Sequence, residues 1–227
     1  MKNLSIRVVC AALVFVFCAA ALTGCFENKN AKKKEMAEEI YHLLLEASDL
    51  AEKMGSDTYT AWNNGIHDAD ESGYDLTKFA KNLSLTVDEL KAGAAYYLAE
   101  DDWDTLAESE KQEKIDKGDT TFKLMLILLD SKFSTCVNVV TRTYKVTGKS
   151  DEIKSKLNEA RDKIRTLNEK YPDYDVCTKL KTLYTKIQTY YDYCINPTGS
   201  FNELQNIIQT FRQDVRDAKN ELSFDLE

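Results

Sequence analysis

Few residues in this chain have the types and spacing that do chemistry. Its 227 residues include two histidines, His42 and His67. They do not form the H-x-x-x-H or H-E-x-x-H spacing that sets two imidazoles on one helix face for zinc. No C-x-x-C pair takes their place. Both histidines read as surface or packing residues. Asp68, Asp70 and Ser72 put oxygen donors at alternate positions ahead of Gly73, as in the first half of a calcium loop. The second half does not follow, because Phe79 stands where a bidentate acid belongs and Leu76 where a further oxygen donor belongs. Asp68–Gly73 is therefore expected to be a polar turn closing a helix, with cation binding as the weaker alternative. A G-x-S-x-G elbow, a Gly-rich phosphate loop and a Ser/His/Asp set are all missing from the sequence. No catalytic residue, cofactor or metal is expected, and the chain does not read as an enzyme.

Six tyrosines, Tyr171, Tyr174, Tyr184, Tyr190, Tyr191 and Tyr193, crowd one stretch. An aromatic body with a phenol tip suits glycan and protein interfaces. The plainer reading packs these rings at the edge of a helical bundle with their hydroxyls in water.

One cysteine has a clearer chemistry. Lys2 and Arg7 precede an uncharged apolar run from Val8 to Leu22. A positive segment followed by a short apolar one fits an export signal, and it falls short of the roughly 20 apolar residues a membrane-spanning helix needs. The run ends in Leu22-Thr23-Gly24-Cys25, which resembles the bacterial lipobox. That resemblance implies cleavage between Gly24 and Cys25 and a diacylglycerol on the Cys25 thiol. Acyl burial contributes about 0.8 kcal/mol per methylene, so two or three chains make a stable anchor. Lys29, Lys32, Lys33 and Lys34 follow closely and form either a basic patch against anionic headgroups or a solvated tether. Phe26 rather than Asp follows Cys25, so the Gram-negative inner-membrane retention signal is absent. Residues 1–24 are thus expected to be signal, 25–34 a lipidated basic tether, and 35–227 the folded domain.

The full chain carries 30 basic and 38 acidic residues, a net charge of −8. Loss of Lys2 and Arg7 with the signal would take it to −10. Such a surface disfavours nucleic acid, whose binding rests on Lys and Arg neutralising phosphates. Eight Gly and two Pro are too few for a turn-rich β fold.

The elements that must carry these residues read as helices. Apolar residues recur at spacings of three and four in Met36-Ile40-Leu43-Ala47-Leu50-Met54 and in Ile153-Leu157-Ala160-Ile164-Leu167. They do so again in Val176-Leu180-Leu183-Ile187-Tyr190-Cys194 and in Phe201-Leu204-Ile208-Phe211-Val215-Ala218-Leu222, each series laying one stripe on one face. Thr86…Glu89 and Ser200…Glu203 read as capping boxes, and Ser150 as an N-cap. Long helices are expected at about 31–72, 119–146, 150–171, 173–195 and 200–223, with shorter pieces over 75–117. The β-branched stretch 137–146 is the one place a strand competes. Leu124 to Leu129, apolar on every face, predicts the most buried helix. Short connections predict an all-α, antiparallel up-and-down bundle of about five long helices. Of the cysteines left after lipidation, only Cys136 and Cys194 would lie level if the helices near 119 and 173 were parallel. Buried thiols pack well unbridged, so no disulfide is expected, or Cys136–Cys194 if there is one.

Trp62-Asn63-Asn64-Gly65-Ile66 and Asn196-Pro197-Thr198-Gly199-Ser200-Phe201 resemble segments of a group of uncharacterised helical lipoproteins of Firmicutes. In that group an N-P-T/S-G-S motif also joins the last two long helices. The likeness is strongest over about 35–72 and 150–224 and weak over 74–118. It implies the fold and the extracytoplasmic, membrane-anchored address, and implies no activity. The sequence leads to an exported lipoprotein held to the membrane through Cys25, serving as a non-catalytic interaction or structural module on an envelope protein. The alternative is a solute- or glycan-binding lipoprotein that uses a groove or the tyrosine-rich face.

Overall fold

The computed structural model describes the backbone of residues 2–67, 76–128 and 132–226, and the side chains of 29–66, 76–126 and 134–226. The side chains of the Leu22–Cys25 segment, of His67 and of residues 127–133, together with the Asp68–Gly73 segment expected to be a turn, lie outside the described residues. Every regular element among the described residues is helical, including 137–146 where a strand competed. The elements are α1 (Lys2–His67), α2 (Leu76–Phe79), α3 (Val87–Leu98), a 3₁₀ turn (Trp103–Thr105), α4 (Glu108–Asp116) and α5 (Gly118–Leu128). They continue with α6 (Lys132–Val146), α7 (Lys149–Lys170), α8 (Val176–Ile195) and α9 (Phe201–Leu226). No helix among the described residues is long and apolar enough to cross a membrane.

Four long helices, α1, α7, α8 and α9, form the bundle, and contacts between named residues fix their directions. Lys156 meets Glu46 at 2.6 Å and Lys163 meets Glu39 at 3.0 Å, so α7 descends as α1 rises. Lys33 lies over the Tyr174 ring while Gly55 abuts Tyr190 and Cys194, so α8 runs with α1. Lys186–Asp214 at 2.9 Å and Lys179–Asp225 at 2.6 Å set α9 against α8. Exposed pairs of this kind contribute only about 0–1 kcal/mol each; their value lies in register. The stability comes from the stripes, whose members Ile153, Leu157, Leu180, Leu183, Ile187, Leu204 and Leu222 are all buried. On α1 the buried seam is Ala37, Ile40, Leu44, Ala47, Ala51 and Met54. It is displaced by one residue from the expected stripe at Met36, Leu43 and Leu50, which flank it. Small residues on this seam let neighbouring helices approach closely.

A side layer of α2–α5 packs against α6, chiefly through α3, and is tied to α1 where Ser84 meets Asp57. Three sequence expectations need correction here. First, α6 does not reverse into α7. Tyr144, Lys156 and Lys163 contact Asp57, Glu46 and Glu39 in turn, so α6 and α7 follow one descending track along α1. The break at Thr147–Gly148, with Gly148 at φ 75°, interrupts the helix without turning it back. The premise that α6 parallels α8 therefore fails. Cys136, Cys177 and Cys194 are buried and free. Second, α5 is not the most buried helix. Phe122 and Met125 are buried, yet Leu124 is 47% exposed, because α5 leans mainly on α3 and meets α4 and α6 only lightly. Third, Ser150 does not cap α7. The N-cap is Gly148, and the Ser150 hydroxyl sits 2.8 Å from the Tyr191 hydroxyl in the core. Thr86 and Ser200 do form capping boxes with Glu89 and Glu203.

Candidate functional site

Three places on the bundle bring together polar or aromatic side chains from separate elements. The first is a buried node. Asp57 on α1, 3% exposed, accepts hydrogen bonds from the Ser84 backbone N–H at 2.9 Å, the Ser84 hydroxyl, and the Tyr144 hydroxyl at 2.9 Å. It ties α1, the 80–86 turn and α6 together. A carboxylate needs such donors to be buried at all. Burial, followed by the neighbouring Asp57 charge, pushes the Tyr144 phenol well above its usual range. Asp57 and Tyr144 are buried while Ser84 lies at the surface, and the bonds that join them position the side layer. Its members lie 27 and 87 residues apart, so no local pattern in the sequence announces it.

The second place is the end of the bundle where α1 and α8 finish and α9 begins. Phe201 stacks on Tyr59 at 4.8 Å between ring centroids and meets Trp62 at 6.3 Å. Tyr193 donates to the Thr198 carbonyl at 2.8 Å. Gly199, at φ 94°, adopts the left-handed conformation the turn requires, and an added Cβ there would crowd Glu203 Oε2. The Trp62–Ile66 segment and the Asn196–Phe201 turn, far apart in sequence, thus form one structure. Ile66 is exposed beside this aromatic cluster on α1.

The third comprises the grooves along α8. Between α7 and α8 a groove of about 490 Å³ is lined by Arg161, Ile164, Arg165, Asn168, Cys177, Thr178, Lys181, Tyr184 and Thr185. Between α8 and α9 a shallower one of about 400 Å³ includes Tyr190, Tyr193, Ile207 and Phe211. The tyrosines do not share one face. Tyr190 is buried flat against Phe211 with centroids 3.7 Å apart, and Tyr191 is buried on Ser150. Tyr184 lies in one groove and Tyr193 at the edge of the other. Tyr174 packs under Lys33. A single tyrosine-lined binding face is therefore not present. Seven-residue spacing on a helix keeps residues aligned, but adjacent positions such as 190 and 191 diverge by about 100°.

His42 is exposed beside Tyr41, with ring centroids 6.2 Å apart. No group of His, Cys, Asp and Glu suited to a metal ion occurs among the described residues. Burial pushes the Cys136 and Cys194 thiols up to about 12, far from the reactive thiolate. Comparison with protein-family models, curated proteins and solved structures finds no match for this chain.

Proposed function

We propose that the protein is a lipoprotein anchored through Cys25, acting at the extracytoplasmic face as a non-catalytic interaction module. The observation that carries this reading is Leu22-Thr23-Gly24-Cys25 at the end of a charged-then-apolar leader, directly ahead of a bundle whose first helix rises from the tether. The direction of α1 gives the reading a geometry. From Lys29 to Trp62 a helix rises about 50 Å at 1.5 Å per residue, so the Tyr59–Trp62–Phe201 cluster sits at the end away from the anchor. Aromatic groups held on stiff helices, beside an exposed Ile66, suit contact with another envelope protein. The resemblance to helical Firmicutes lipoproteins rests on the two segments that meet at this end, and agrees with this reading. We assign no catalytic step to it.

The test is metabolic labelling with a fatty-acid analogue in cells expressing the chain or its Cys25→Ala variant. The native chain is expected to carry label and to fractionate with membranes, and the variant to lose both. Label persisting on Cys25→Ala would move the lipid elsewhere and overturn the anchor.

A further inference from the structure

We propose that the α7–α8 groove is a binding site for a phosphate-bearing ligand. Acids outnumber bases in the chain, and the cations that face other helices are mostly neutralised. Lys156, Lys163, Lys179, Lys186 and Arg212 each lie against a carboxylate of a neighbouring helix. Lys181 is different. It lies between Lys179 and Lys186 in sequence but lines the α7 side of α8, and its ammonium meets no carboxylate among the described residues. Facing it, Arg161 and Arg165 stand one helical turn apart and share one acid. Asp162 lies 3.7 Å from the first and 3.6 Å from the second. The groove thus holds three cations against a single carboxylate that does not itself line it.

The remaining groups decide the class of ligand. The Asn168 amide and the Thr178 hydroxyl, on opposite walls, make no side-chain hydrogen bond among the described residues and are free to donate. A tetrahedral phosphate can accept from both walls at once, and guanidinium forks match its oxygen pairs. Ile164 and the Tyr184 ring give the groove an apolar section suited to the glycerol or sugar body such a phosphate carries. Lys163, between the two arginines, pairs with Glu39, so the groove is level with the start of the bundle. Ten residues of helix separate Glu39 from Lys29, about 15 Å. A soluble phosphate ester and a lipid headgroup offer the same chemistry there. The proposal stands on the groove and does not depend on lipid at Cys25.

The test uses the full chain in a non-ionic detergent, titrated calorimetrically with glycerol 1-phosphate and, separately, with the same micelles doped with phosphatidylglycerol. Saturable binding is expected, weakened about tenfold or more by Arg165→Gln and by Lys181→Gln, as loss of a charge-assisted hydrogen bond implies. Lys219→Gln, which removes a cation from α9 beside Asp49, should leave it unchanged. Binding of the soluble ester identifies a free ligand, and binding only to doped micelles identifies a headgroup; either supports the site. Absence of both, or a loss no greater for the groove variants than for Lys219→Gln, would overturn it.

Discussion

Replacing Gly55 by alanine tests the closest approach in the bundle. In an exposed helix interior this change stabilises by about 1 kcal/mol, because glycine loses more backbone freedom on folding. Here the new Cβ would collide with Tyr190 Oη and lie 2.6 Å from its Cζ and 3.2 Å from Cys194 Sγ. The ring cannot slide away without leaving Phe211, against which it lies within 3° of parallel. Overpacking of a filled core costs about 1–3 kcal/mol, and giving up a stacked aromatic pair a further 0.5–1.5 or so. Set against the helix gain, Gly55→Ala should destabilise by about 1–3 kcal/mol. Urea denaturation followed by circular dichroism at 222 nm would show a lower midpoint with an unchanged slope. The Tyr190 hydroxyl is buried with only the Cys194 thiol, a weak partner, beside it, so Tyr190→Phe alone should be close to neutral. In the double variant it should recover part of the loss, but not all, since Cζ remains too close. A Gly55→Ala chain more stable than the parent would refute the α1–α8 packing described above.

Leu180→Asp should unfold the domain, since an unpaired charge in the core costs several kcal/mol; Glu152→Ala, at an exposed first-turn acid of α7, should cost about 0.3–1, and thermal melts would separate the two. Asp57→Ala would strand the Tyr144 and Ser84 donors, and is expected to cost about 2–5 kcal/mol with loosening of α2–α5; amide exchange that speeds up in α7 before α3 would contradict this. Burial of Glu100 opposes its ionisation, but the hydrogen bonds and charges of Lys145 and Arg142 outweigh that and hold its carboxyl below the usual range. A depressed folded value adds stability above the unfolded value of about 4.3, lost as pH falls through the folded one. Glu100→Gln should therefore flatten the acid limb of the stability–pH curve, and an unchanged limb would remove the pair from the account. Cys136 and Cys194 should resist a thiol reagent at pH 8 until the chain is denatured, and native-state labelling of either would contradict their burial.

The stripes of α7, α8 and α9 were legible because each faces one core, so a 3.6-residue period maps directly onto burial. The capping boxes at Thr86 and Ser200 were legible because they are local. What failed depended on neighbours that periodicity does not report. Leu124 stays exposed because no described residue covers that side of α5, although its apolar surroundings in sequence suggested otherwise. Ser150 turns inward because Tyr191, 41 residues on, offers a partner. The sense of α6 hung on whether two residues reverse a helix or merely interrupt it, and a Thr–Gly junction allows both. The α7–α8 groove was half visible: Tyr184 was singled out, but the arginines on the facing helix could be paired with Lys181 only once the antiparallel register was known.

The place of α1 in the bundle has a consequence for how the chain reaches its final state. It touches α6, α7, α8 and α9, and its ion pair with α9, Glu52 to Arg212, spans 160 residues. α1 is thus completed by a helix 160 residues further along the chain. While the chain is still emerging, the seam from Ala37 to Met54 waits for helices that come much later in sequence, and the α9 side of the core is the last to be covered. Such long-range closure slows folding and leaves an apolar edge exposed in the meantime. Removing α9 should therefore yield an aggregating chain rather than a smaller bundle, and a polypeptide halted before residue 201 should remain threadable through a narrow pore.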